Sequence, residues 1–148
     1  MSHLSHAATQ RVDVAADVAF DFLADPLQLG RWSLGCFNTT PAGAPGLFTG
    51  VSLYDGARGW FRIDADRTRY IIDYRVGDSG TQVPRVSARV MPGPVCGLPA
   101  TSCYVTLLAW RVADMSDDRW SRLCAAHEAE IWLIKTQIET FTDQGTQR

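Results

Sequence analysis

Between residues 116 and 142 the chain carries neither glycine nor proline. This uninterrupted run constrains the fold more than any other feature of the sequence. A segment without helix breakers propagates as a helix once nucleated. At 1.5 Å per residue it makes a rod about 40 Å long. Ser116 or Asp117 is placed to cap its start. Along it Trp120, Leu123, Cys124, Ile131, Ile134, Ile138 and Phe141 recur at helical spacing, giving an apolar face about 100° wide. A face of that length has to be covered by another layer.

The preceding segments supply that layer. The run AATQRVDV, residues 7–14, alternates enough for a strand. The next segment, AADVAFDFLAD, fits a short amphipathic helix stopped at Asp25-Pro26. Leu27, Leu29 and Trp32 suggest a second short helix. From there to Val112, glycine, proline and asparagine punctuate β-rich segments. Strands are predicted near residues 33–39, 47–54, 59–65, 70–76, 83–91 and 102–112. Short turns between consecutive strands imply an antiparallel meander. MPGPVCGLPA, residues 91–100, is too rich in proline and glycine for a ladder and is expected to be a mobile loop. The expected class is therefore α+β: a curved antiparallel sheet of about seven strands wrapped around a long C-terminal helix, with two short helices after the first strand. A sheet curved around a helix often leaves space that side chains do not fill. A length of 148 residues suits one domain. Its expected extent is 7–143, with a loose leader at 1–6 and a tail at 144–148.

Charge excludes some functions. Lys+Arg is 14 against Asp+Glu 16, a formal net charge of −2, so a nucleic-acid partner is not expected. Nor is there a polybasic patch for an anionic membrane or an apolar run of the roughly 18 residues a span needs. MSHLSHAATQ lacks the pattern of a secretory signal, which reads as a cytoplasmic chain. His3 and His6 in the leader are at most a weak metal signal. Cys36, Cys96, Cys103 and Cys124 show no C-x-x-C spacing; they read as free thiols, mostly small buried hydrophobes. Without GxGxxG, a P-loop or a Ser-His-Asp signature, no cofactor is implied.

The order of elements resembles the helix-grip superfamily of START-like and polyketide cyclase/dehydrase-like (SRPBCC) proteins. The residues that carry the likeness lie in RVDVAADVAFDFLADPLQLGRW: Val18, Phe20, Phe22, Leu23, Asp25, Pro26 and Trp32. The C-terminal LAWR and the helix RWSRLCAAHEAEIWLIKTQIE add to it. The resemblance implies a deep, mostly apolar cavity for lipids, hormones, polyketides or other apolar small molecules. Some members are cyclases or dehydrases and many only bind or carry, and no member's catalytic set maps onto this chain residue by residue.

His127 stands out on the long helix. It falls at the centre of the apolar stripe, one helical step from Cys124 and Ile131. A buried imidazole without a partner costs roughly 1–3 kcal/mol. It is therefore expected either to be a satisfied core histidine or to face the cavity, as a hydrogen-bonding group or an acid/base. Glu128 and Glu130 lie at opposite edges of the stripe. HEAE lacks the second histidine of H-E-x-x-H, so no metal is expected. On the strand near 70–76, Tyr70, Ile72, Tyr74 and Val76 share one face, expected to point inward; both phenols could orient a ligand. Arg85, Ser87 and Arg89 share a face that reads as outward, although inside they could bind a carboxylate or an enolate. Trp32 is the tryptophan expected to line the cavity, with Trp60 and Trp110 as core or lining. Trp132 and Leu133, away from the main stripe, suggest a homodimer contact. The expected function is binding of an apolar or aromatic small molecule. The alternatives are a cyclase/dehydrase-type enzyme using His127, and a protein-interaction module.

Overall fold

The computed structural model describes residues 3–146. Strand β1 (Ser5–Val12) leads into helices α1 (Ala16–Ala24) and α2 (Pro26–Trp32). Strands β2 (Phe37–Pro41), β3 (Phe48–Val51), β4 (Arg58–Asp66), β5 (Ile71–Gly77), β6 (Gln82–Pro92) and β7 (Cys103–Trp110) follow, and then helix α3 (Asp117–Thr146). Strands β1 to β7 form one antiparallel sheet in the order β1-β7-β6-β5-β4-β3-β2. The α+β architecture read from the sequence is present. Among the described residues, no helix is long and apolar enough to cross a membrane.

Several boundaries differ from the sequence reading: β2 starts at Phe37, not near 33, and β3 ends at Val51, not near 54. β1 begins at Ser5, ahead of residue 7, because His6 continues the ladder opposite Ala109. α3 runs to Thr146, past residue 143; the side chain of Phe141 lies outside the described residues. The segment after β6 is closed rather than open. A 3-10 turn spans Gly93–Cys96, the Gly93 amide donates to the Ser102 carbonyl at 2.9 Å, and the Leu98 amide donates to the Gly93 carbonyl at 2.9 Å.

Local chemistry explains the two short helices. The Asp25 carboxylate accepts from the Leu27 amide at 2.9 Å and Pro26 occupies the first turn of α2, where its missing N–H leaves nothing unsatisfied. Gly30 lets α2 lie directly on β2: a Cβ there would stand 2.4 Å from the Thr39 amide nitrogen. Thr39 in turn donates its hydroxyl to the Pro26 carbonyl at 2.6 Å.

α3 packs against β1 and β7 and touches α1 and α2. Two apolar clusters hold it. Ile131, Ile134 and Ile138 enter the large core with Phe20, Leu23, Trp32, Phe61 and Ile72. Nearer its start, Trp120 packs with Ala109 and Met115, flanked by Leu123 and Cys124. Polar ties fix its second half. Lys135 donates from Nζ to the Arg11 carbonyl at 2.7 Å, and Glu139 accepts from the Asp13 amide at 3.0 Å.

One irregularity in the sheet bears on function. Ile71 to Tyr74 pair with Arg89 to Val86, whereas Arg75 pairs with Pro84. Arg85 is thus an extra residue on β6, a β-bulge that interrupts the alternation of faces.

Candidate functional site

Between the two clusters the helix and the sheet stand apart. The space has a volume of about 480 Å³, within the roughly 300–1,000 Å³ of ordinary small-molecule sites. One wall is the concave face of the sheet, with Phe61 on β4, Tyr74 and Val76 on β5, and Val86 on β6. α2 contributes Leu29 and Trp32, and residues 52–57 between β3 and β4 form part of the rim. The opposite wall is α3, through Arg119, Arg122, Leu123, Ala126, His127 and Glu130. At 100° per residue His127 falls inside the isoleucine stripe and the other positions lie on the flank beside it. At Gly35 and Gly59, both in the lining, an added Cβ would meet no atom within 4 Å.

His127 lies where the sequence places it, 6% exposed and in the lining. Its Nδ1 is buried without a hydrogen-bond partner. Burial, and secondarily the nearby His6, lowers its pKa to about 4, so the imidazole is neutral at ordinary pH. The His6 ring meets it edge-on, with centroids 6.2 Å apart. His6 itself pairs through Nε2 with Glu128 Oε1 at 3.0 Å.

Trp32 and Tyr74 also line the cavity. Their rings meet edge to face at 5.8 Å. The Tyr74 hydroxyl donates to the Leu23 carbonyl at 2.7 Å, so its proton is already committed to the protein. The Trp32 Nε1 donor is buried and unpartnered. Tyr70 sits elsewhere. It precedes β5 with a φ of 55°, which breaks the alternation that would have turned it inward. Its hydroxyl donates to Asp17 at 2.9 Å and its ring packs on Phe20. Beside it Arg67 binds Asp17 and Asp21, so this cluster fastens the β4–β5 turn to α1 and contributes nothing to the lining.

Arg85 departs from the outward reading. The bulge swings it into the lining, while Arg89 stays exposed and Ser87 is buried, donating to the Ile72 carbonyl at 3.0 Å. The Arg85 Nε is buried without a partner. Burial, and then repulsion from Arg119, lowers its pKa. The sequence signal was Pro84: a proline inside a central strand marks a bulge or an interruption.

Glu130 was read as an edge residue. It is 4% exposed and in the lining. Burial raises its pKa to about 8, partly offset by a hydrogen bond from the Leu34 amide. At neutral pH it is therefore mostly a carboxylic acid, able to donate as well as accept. Burial also pushes the Cys36 thiol, another lining group, up to about 11, which keeps it from acting as a thiolate nucleophile. Of the remaining tryptophans, Trp60 borders the cavity, whereas Trp110 is 47% exposed and lines nothing. Trp132 and Leu133 are exposed. Among the described residues no group of three or more His, Cys, Asp or Glu is placed to hold a metal ion.

The site thus combines aromatic and aliphatic walls, an indole donor, a guanidinium, a neutral imidazole and a protonated carboxyl. No family model and no curated protein matches the sequence. Solved structures do match in shape. XoxI from Bacillus cereus superposes with a TM-score of 0.70 at 8% identity, covering 92% of this chain and 96% of that one. The ZhuI aromatase/cyclase from a Streptomyces species gives 0.64 at 18% identity, covering 93% and 94%. The di-domain ARO/CYC BexL, from a biosynthetic pathway, gives 0.67 at 16% identity, covering 95% of this chain and 48% of BexL. Identities this low speak for architecture alone. With its seven-stranded sheet closed on a terminal helix, the chain has the helix-grip fold that these aromatase/cyclase structures share.

Proposed function

We propose that the chain binds an apolar or aromatic small molecule, lipid- or polyketide-like, in the cavity between the sheet and α3. The observation that carries this reading is the unfilled space of about 480 Å³ walled by Trp32, Phe61, Tyr74, Val76 and Val86. The space opens to solvent past Tyr54, Asp55 and Arg122, so a ligand of this size can enter it. Isothermal titration with naphthamide, a neutral bicyclic aromatic, tests it. Saturable binding to the wild-type chain is expected. Gly59→Leu places a side chain where no atom stands within 4 Å; it should weaken binding at least about tenfold and leave the melting temperature unchanged or raised. Absence of saturable binding, or equal binding by Gly59→Leu, would overturn the reading.

A second reading is an enzyme of the polyketide cyclase/dehydrase type. What favours it is the placement of His127 and Glu130 in one cavity. A neutral imidazole can accept a proton from an activated carbon while the Glu130 carboxyl donates to the developing oxyanion. With its pKa lowered to about 4, His127 is a weak base, and for that reason binding stands first. This reading expects cyclised product from a linear poly-β-ketone with the wild-type chain and none with His127→Ala at equal thermal stability. Turnover retained in His127→Ala removes the histidine from the chemistry.

A further inference from the structure

The cavity has an electrostatic imbalance that a purely apolar ligand does not answer. Arg85 and Arg119 face the same space from β6 and α3. Among the described residues neither has a carboxylate partner, although Arg67, Arg75 and Arg111 each have one. Arg122 differs, because Asp55 lies within its field. Glu130, the other acid in the lining, is mostly protonated at neutral pH and offers no counter-charge. Arg85 is partly buried while Arg119 stands exposed at the rim, so the desolvation cost falls on Arg85, and an anion placed between the two guanidiniums would offset it. The Arg85 Nε and the Trp32 Nε1 are both buried donors lacking acceptors, and both residues line the cavity. The unmet demand is for acceptor atoms, and beside the Arg85 guanidinium a charged acceptor forms the stronger bond.

We propose that the ligand is an amphipathic carboxylate: an aromatic or alicyclic body against Trp32, Phe61 and Val86, with its carboxylate between Arg85 and Arg119. This rests on the small-molecule reading above and narrows it to an acid. The planar fork of arginine suits a carboxylate with two parallel hydrogen bonds. The bulge matters here, since on a regular β6 the residue at 85 would not be an extra one turned to the cavity.

The test compares naphthoate with naphthamide, near-isosteres that differ in charge, on the full chain at neutral pH and low salt. Naphthoate is expected to bind at least about tenfold tighter. Arg85→Met and Arg119→Met should each remove most of that preference, read as the ratio of naphthoate to naphthamide affinity within each variant. Arg85→Lys, which keeps the charge and loses the fork, should retain part of it and guards against a misfolded variant. Equal affinity for the two probes, or a preference that survives in both Met variants, would overturn the acid assignment while leaving the small-molecule reading intact. If neither probe binds the wild-type chain, both readings fall together.

Discussion

At the scale of single residues, two groups bring opposite pH dependences into the same cavity. Glu130 titrates near 8 in the folded chain against an ordinary 4.5. The folded state thus holds a proton that the unfolded state has lost, and stability falls as pH rises through that window. His127 is lowered from 6.5 to about 4. There the unfolded state holds the extra proton, and stability falls as pH drops from 6.5 towards 4. Between 6.5 and 8 only the carboxyl contributes, so melting temperature should decline across that range. Glu130→Gln should flatten the decline; between 4.5 and 6.5 the two contributions oppose each other, so His127→Gln should leave a stability that goes on rising as pH falls towards 4.5. Thermal melts at half-unit pH steps read both slopes; an unchanged slope in Glu130→Gln would show that another group is titrating. His127 was conspicuous in the sequence because it is a polar residue at the centre of an apolar stripe. Glu130 escaped notice because a glutamate at the edge of a stripe ordinarily reaches water, and here it is buried with the Leu34 amide bonded to it.

At the scale of elements, α2 is short and depends on its two ends. Asp25→Ala removes the carboxylate that accepts from Leu27 and should cost about 1 kcal/mol. Gly30→Ala drives a methyl to within 2.4 Å of the Thr39 backbone nitrogen and should cost roughly 1–3 kcal/mol by forcing α2 off β2. Urea denaturation of both variants checks the order, with Gly30→Ala the worse. Equal and negligible losses would mean that α2 is not fixed by these contacts. Turn residues and alternation made each strand legible in the sequence, as the absence of breakers did α3. The inward turn of Arg85 was not legible from alternation, because a bulge adds one residue and leaves the period intact on either side. Tyr70 was misplaced for a related reason: its positive φ belongs to the turn before β5, and no hydrophobic pattern registers that.

At the scale of the whole molecule, α3 is fastened at two places with a hollow between them. The three isoleucines hold its second half in the main core, and Trp120 holds its first turns in a smaller cluster. Trp120→Ala should therefore loosen the helix unevenly. Amide exchange is expected to rise in the turns around residues 117–127 and to stay slow around Ile131 to Ile138. Uniform acceleration along α3 would show that the helix opens as one unit. The sheet-and-helix plan was readable from order and spacing alone, because covering a long amphipathic helix with a meander leaves few solutions. The electrostatics of the hollow were not, since charges on β6 and α3 meet only after the chain has closed.

The bulge on β6 has an evolutionary corollary. Tyr74 pairs with Val86 and Arg75 with Pro84, so excising one codon, that of Arg85, leaves every other partner in place and yields an ordinary ladder. On the acid reading proposed above, loss of three nucleotides would remove one of the two guanidiniums assigned to the carboxylate and leave Arg119 in the lining. Selectivity in a scaffold of this kind can thus change through an in-frame indel at a single position while the surrounding architecture is inherited whole.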